Sequence, residues 1–115
     1  MRRGEIVSVS FDPARGSEAA KTRPAVVVSN DAANATATRL GRGVITVVPV
    51  TSNTTRIYPF QVFLPARQTG LQRDSKAQAE QLRSVAVERV GDRLGQLPAA
   101  LITELDSALR VHLSL

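Results

Sequence analysis

Lys21-Thr22-Arg23-Pro24-Ala25-Val26-Val27-Val28-Ser29-Asn30-Asp31 sets an arginine directly against a proline that opens a run of valines. Pro24 fixes its own φ and pushes Arg23 out of the helical region. Val26, Val27 and Val28 are β-branched and favour a pleated, buried strand. Arg23 therefore stands where a loop ends on a rigid strand, and a guanidinium held that way suits a phosphate.

Outward from this stretch, strand signals recur. In Glu5-Ile6-Val7-Ser8-Val9-Ser10-Phe11, Val7, Val9 and Phe11 fall on one face with Ser8 and Ser10 on the other, the alternation of a half-buried strand. Residues 12–22 carry turn formers and no apolar period, so they predict a long loop, and long loops in compact domains tend to be functional. Beyond the valines, Ser29-Asn30-Asp31 offers helix caps, and Ala32 to Leu40 predicts a short helix stopped by Gly41 and Gly43.

Val44 to Val50 predicts another buried strand whose Pro49 implies a sheet edge or bulge. A polar loop, Thr51 to Arg56, follows. Phe60-Gln61-Val62-Phe63-Leu64 alternates as a strand up to Pro65, and Thr69 to Asp74 reads as a turn. Ser75 to Val87 reads as a strand bordering a groove, with Ala77 and Ala79 on one face and Lys76, Gln78, Glu80 and Leu82 on the other. Glu88 to Leu94 predicts a helical turn and a short strand broken by Gly91 and Gly95. Pro98 at a first helical position, with Leu101, Ile102, Leu105, Leu109 and Leu113 at spacings of three and four, marks an amphipathic helix. Five or six short strands and one terminal helix imply a mostly β protein with helices, a small antiparallel barrel or half-barrel packed by that helix.

Composition narrows the chemistry. The chain has 115 residues, which fits one domain spanning 1–115. Only 3% of residues are aromatic, so the core must be aliphatic. A net charge of +5 points to a polyanionic partner, although many domains carry such an excess merely for solubility. Without cysteine there are no disulfides or thiolate metal sites. No apolar run approaches the roughly 20 residues of a membrane span. The basic N-terminus leads into an alternating segment instead of a signal-peptide apolar run, and a cytoplasmic protein is expected.

The single His112 excludes a mechanism with two histidines as acid and base, and a zinc site is equally improbable. No phosphate-binding or dinucleotide fingerprint occurs. What remains is phosphate chemistry without a metal, in which an arginine, a hydroxyl and a carboxylate meet near one groove. RNA permits it, because its 2′-hydroxyl is an internal nucleophile beside the phosphorus, and the protein need only orient it, move protons and stabilise negative charge.

Asp12-Pro13 followed by Gly16-Ser17-Glu18, then Arg23-Pro24-Ala25-Val26-Val27-Val28-Ser29-Asn30-Asp31, Val48-Pro49-Val50-Thr51-Ser52, Tyr58-Pro59-Phe60 and Glu80-Gln81-Leu82-Arg83-Ser84-Val85 together resemble the MazF/PemK family of endoribonuclease toxins. The likeness runs from about Arg3 to the terminal helix. It implies an SH3-like barrel with added helices, a homodimer, and sequence-specific, metal-independent cleavage of single-stranded RNA to a 2′,3′-cyclic phosphate and a 5′-hydroxyl, with no cofactor. It also implies a cognate antitoxin whose acidic C-terminal segment occupies the RNA groove.

Carried across by motif, the catalytic positions are Arg23, Thr51 and Glu18. Arg23 is expected to stabilise charge on the non-bridging oxygens, since a guanidinium keeps its proton and makes a poor free base. Thr51 would hold a phosphate oxygen or the 2′-hydroxyl. Glu18 would accept the 2′-hydroxyl proton or position Arg23. Lys21, Ser52, Asn53, Lys76, Gln78 and Gln81 are candidate RNA contacts. Ser8 and Ser10 stand where many relatives carry an aromatic or acidic residue, which bears on dimer or groove packing.

Two other readings compete. A gyrase poison of the CcdB type shares the barrel, but those end in a Trp-Gly-Ile-like tail, whereas this chain ends Leu113-Ser114-Leu115 and has no Trp. A non-catalytic RNA-binding barrel would want surface aromatics for stacking, which are scarce here.

Overall fold

The structure, a computed structural model, describes residues 1–11 and 22–115. β1 (Glu5–Ser10) runs antiparallel to β2 (Thr22–Val27), and β2 to β3 (Val44–Thr51). On its other side β3 takes two partners in succession: β6 (Arg83–Ala86) along 44–47, then β5 (Ser75–Gln78) at Val50 and Thr51. β4 (Gln61–Leu64) adds to β5, and β7 (Val90–Gln96) adds to β1. The result is a seven-stranded antiparallel sheet in the order β4-β5-β3-β2-β1-β7, with β6 beside β3.

Alternation along each strand sorts the side chains onto two apolar layers. Ile6, Val26, Val48, Val50, Val62 and Leu64 enter one layer, which Leu101, Leu105 and Ala108 of α3 (Ala99–Leu113) cover. Val7, Val9, Phe11, Ala25, Val27, Ile45 and Val47 enter the other, which Ala37 of α1 (Asp31–Leu40) helps to cover. The valine run of β2 is continuous because both faces are covered: Val26 goes to one layer and Val27 to the other. Each such buried side chain contributes about 1.5–3 kcal/mol of transfer free energy.

Capping bounds α1. The Asn30 side chain accepts the Ala33 N–H at 2.8 Å, and Gly41 closes the helix in the left-handed region at φ 65°. Asn34 is fully buried on this helix, and its Nδ2 donates to the Ser29 carbonyl at 2.8 Å. Arg3 ties α3 to the β-layer: its Nη2 meets Asp106 Oδ1 at 2.7 Å and its Nε donates to the Val28 carbonyl at 2.8 Å.

The expected mostly β architecture with a C-terminal helix is present, and several local expectations change. Pro49 lies in a central strand, not at an edge; it pairs with Ala25 on β2, and its other flank falls between the segments held by β6 and β5. The missing N–H therefore coincides with the change of partner. Thr69 to Asp74 is preceded by a helical turn, α2 (Ala66–Thr69), ended by Gly70 at φ 86°. The expected continuous strand from Ser75 breaks into a 3-10 turn at Ala79–Gln81 before β6, because buried Ala77 and Ala79 follow the core around a bend. Neither Gly91 nor Gly95 breaks β7; pairing with β1 carries the strand through both, with register shifts. Pro98 sits at the N-cap of α3, and Leu113, the last residue of the helix, is exposed.

β7 meets α2 at Gly95 and Thr69. A Cβ on Gly95 would collide with the Thr69 carbonyl oxygen, so glycine there lets β7 close against α2.

Candidate active site

Arg23 leaves β2 where the strand begins, and Thr51 ends β3. The register Val27↔Val47, Val26↔Val48, Ala25↔Pro49 ends two residues short of Arg23 and Thr51 and leaves both at the same end of the strand pair. Both line an open cleft of about 700 Å³ with Pro24, Val50, Ser52, Gly70, Leu71, Gln72, Arg73, Ser75 and Leu94. Its walls thus come from β2, β3, the α2–β5 turn and β7.

Pro24 makes this placement local. It sits at a ladder position opposite Ser8, where φ is already fixed, and leaves Arg23 exposed beside it. Thr51 is positioned differently. Its Oγ1 accepts the Asn53 N–H at 3.2 Å, and Asn53 Oδ1 in turn accepts the Thr55 N–H at 3.2 Å. With a lone pair engaged by its own loop, the Thr51 hydroxyl has its proton free to donate toward the cleft.

Of the residues expected at the site, Arg23, Thr51 and Ser52 come together. Glu18 and Lys21 lie outside the described residues. Asn53 is exposed just past Ser52 and serves to shape the loop. Lys76 pairs directly with Thr51 across β3–β5, yet it is 8% exposed and its Nζ donates inward to the Arg56 carbonyl at 2.6 Å. Its ammonium holds the 52–60 loop down instead of facing the cleft. Gln78, half-buried, and Gln81, exposed on the 3-10 turn, do not line the cleft.

The same loop has a second anchor. Gln61 Oε1 accepts the Tyr58 N–H at 3.2 Å, and Gln61 Nε2 donates to Glu80 Oε2 at 2.6 Å. Above it Tyr58 stacks on Phe60, ring centroids 5.3 Å apart and 2° from parallel, with the Arg56 guanidinium 5.7 Å from the Tyr58 ring. The loop that carries Thr51 forward is thereby held at both ends.

Sequence reasoning missed Gln72, Arg73, Ser75 and Leu94 as cleft residues. Gln72-Arg73-Asp74 reads as an ordinary turn, and Leu94 as an interrupted strand. The available signal was a basic residue in the turn immediately before the polar Ser75 strand. Two guanidinium groups and no carboxylate line the cleft among the described residues, so its field favours an anion.

The family model for the PemK-like, MazF-like toxin of type II toxin–antitoxin systems matches residues 2–113. The chain is 68% identical over 115 residues to Endoribonuclease MazF9 of Mycobacterium tuberculosis, covering 100% of this chain and 98% of that protein. It is 29% identical over 116 residues to Endoribonuclease EndoA of Bacillus subtilis, covering 100% of this chain and 96% of that one. Among solved structures, the MazE–MazF crystal structure (Form II) from Deinococcus radiodurans superposes with a TM-score of 0.78 at 30% identity, over 100% of this chain and 96% of that one.

Proposed function

The chain belongs to the PemK-like, MazF-like toxins of type II toxin–antitoxin systems, and on that premise we propose that its cleft cuts single-stranded RNA by attack of the substrate's own 2′-hydroxyl. It is an endoribonuclease toxin, as its 68% identical relative is named. The observation that carries the reading of the site is the meeting of Arg23 and Thr51 in one cleft lined by no carboxylate among the described residues.

The 2′-oxygen gives up its proton, with Glu18 as the acceptor, and bonds to the adjacent phosphorus. The bond from phosphorus to the 5′-oxygen of the next nucleotide breaks, and that oxygen takes a proton from the Arg23 guanidinium, which is restored by the proton held on Glu18. The products are a 2′,3′-cyclic phosphate and a 5′-hydroxyl end. As charge builds on the non-bridging oxygens, Arg23 offers charge-assisted N–H donors and Thr51 offers its O–H. Fixed donors of this kind act without reorganising during the reaction, and losing one costs about 10²–10³ in turnover in comparable sites. The groups named here carry the charge and proton movements without a metal or cofactor.

Lys21 and Ser52 contact the RNA backbone, while Asn53 and Lys76 act through the loop they order; Gln78 and Gln81 extend the surface that reads sequence. The chain works in the cytoplasm as a homodimer. A cognate antitoxin silences it by laying an acidic C-terminal segment across the same basic cleft, where the two arginines that suit phosphate also suit carboxylates. Residues 1–115 act as one domain.

The test is cleavage of a labelled single-stranded RNA in EDTA. Arg23→Ala is expected to stay folded and lose cleavage, and full activity in that variant would overturn the reading. Sequencing the 5′-hydroxyl ends from a mixed RNA pool then gives the recognised sequence.

A further inference from the structure

We propose that Arg73 forms a second phosphate subsite, holding the phosphate next to the one being cleaved, so that the cleft grips two consecutive linkages of the RNA. The inference rests on the endoribonuclease reading above. It starts from a cation that the cleavage steps do not use: Arg73 lines the cleft with Arg23, and no carboxylate lines it among the described residues. Arg23 is engaged by the scissile phosphate in that reading, which leaves the Arg73 guanidinium for a neighbouring phosphate.

The turn that carries Arg73 is built, not loose. Gly70 takes the left-handed conformation, φ 86°, and its N–H closes onto the Ala66 carbonyl at 3.0 Å. The Leu71 N–H reaches Thr69 Oγ1 at 3.3 Å. On the far side, Asp74 Oδ1 accepts the Ala66 N–H at 2.9 Å, and Ser75 Oγ donates to the carbonyl of Arg73 itself at 3.0 Å. The backbone is thus held before and after Arg73.

The neighbouring carboxylate is also accounted for. Asp74 is engaged by the α2 backbone, and among the described residues Arg73 makes no ion pair; those present are Arg2–Asp31 and Arg3–Asp106. Arg73 is exposed, with its donors available to a ligand. A guanidinium can bind a phosphate through two parallel hydrogen bonds, which fixes orientation as well as charge. The polar lining of the cleft, with Thr51, Ser52 and Gln72, suits a sugar–phosphate strand.

The experiment uses the whole protein and an RNA oligonucleotide containing its cleavage site. Binding is measured on a version with a 2′-deoxy nucleotide at the cut, and cleavage on the all-ribose version. Arg73→Ala is expected to weaken binding roughly tenfold to hundredfold, the range for a hydrogen bond to a charged group. It should also flatten the slope of log affinity against log salt by about 0.7, the value for one single-strand phosphate contact. In cleavage the loss falls on KM more than on kcat, and Arg73→Lys recovers part of it.

Neutral methylphosphonate is then placed, in turn, at the linkage on either side of the cut. At one of these positions it weakens wild-type binding and leaves Arg73→Ala unchanged. Unaltered binding and salt slope in Arg73→Ala would overturn the subsite, and so would a methylphosphonate penalty that persists undiminished in that variant. Arg23→Ala, run on the same oligonucleotides, reports separately on the catalytic reading. Cleavage surviving in Arg23→Ala sinks that reading, whereas the binding and salt data on Arg73 sink only the second subsite.

Discussion

Arg23 and Thr51, each two residues beyond the Ala25↔Pro49 pair that ends the β2–β3 ladder, line one cleft. A cation and a hydroxyl brought from strands far apart in the chain thereby face the same space. Each is carried by a strand that is paired on another side, Arg23 opposite Val9 on β1 and Thr51 opposite Lys76 on β5. Both donors are therefore in place before substrate arrives.

If Thr51 donates its proton to phosphate, the hydroxyl matters and the methyl does not. Thr51→Ser is expected to keep most of the turnover. Thr51→Val, which keeps the shape and loses the donor, should lower kcat by about 10²–10³ with little change in RNA affinity. Equal activity of the serine and valine variants would show that the hydroxyl is a structural group only.

Lys76 is the direct cross-strand partner of Thr51, and its Nζ holds the Arg56 carbonyl at 2.6 Å. Lys76→Met retains the buried stem and removes the donor. A hydrogen bond to a charged group contributes about 1.5–3 kcal/mol, so local opening of the 52–60 loop should rise roughly tenfold to hundredfold. Hydrogen exchange at the Tyr58 amide, which is bonded to Gln61, reads this directly. Exchange as slow as in the wild type would mean that the loop is held by other contacts.

Gly95 is where β7 closes on α2, and a Cβ there would meet the Thr69 carbonyl. Backbone cannot yield as a flexible side chain does, so Gly95→Ala is expected to destabilise the fold by about 1–3 kcal/mol, as overpacking does. Urea denaturation measures it. Because Gly70 and Leu94 line the cleft on either side of this contact, activity should fall as well, even at temperatures where the variant is folded.

Asn34 is fully buried, with Nδ2 donating to the Ser29 carbonyl and Oδ1 accepting from Ser29 Oγ at 2.5 Å. That hydroxyl also accepts the Thr46 N–H at 3.0 Å. Asn34→Ala leaves buried polar partners behind, at a cost of about 1–3 kcal/mol. Asn34 does not line the cleft, so thermal denaturation should shift while turnover per folded molecule does not.

Much of this was legible locally. The valines of β2, the alternation in β1 and β4, the capped α1 and the leucine spacing of α3 each report their own element, because strand and helix periods are written in neighbouring residues. Arg23 was legible for the same reason: Pro24 constrains it through one covalent bond. Arg73 was not, since nothing in Gln72-Arg73-Asp74 tells a solvated turn from one that faces a cleft. Lys76 was misplaced in face because charge suggests solvent, while the buried carbonyl that receives its ammonium is twenty residues away at Arg56.

The sequence alone determined the strands β1 to β4, the helices α1 and α3, that the core is aliphatic, that the balance of charge is basic, and that an arginine sits at a strand end. These follow from short-range sterics and composition. Only the tertiary structure decided which groups share the cleft. Arg23, Thr51 and Arg73 are joined through strand pairing and a turn anchored on α2, and pairing depends on which distant segments bury each other's apolar faces. That is a property of the whole packed sheet, and no local stretch contains it.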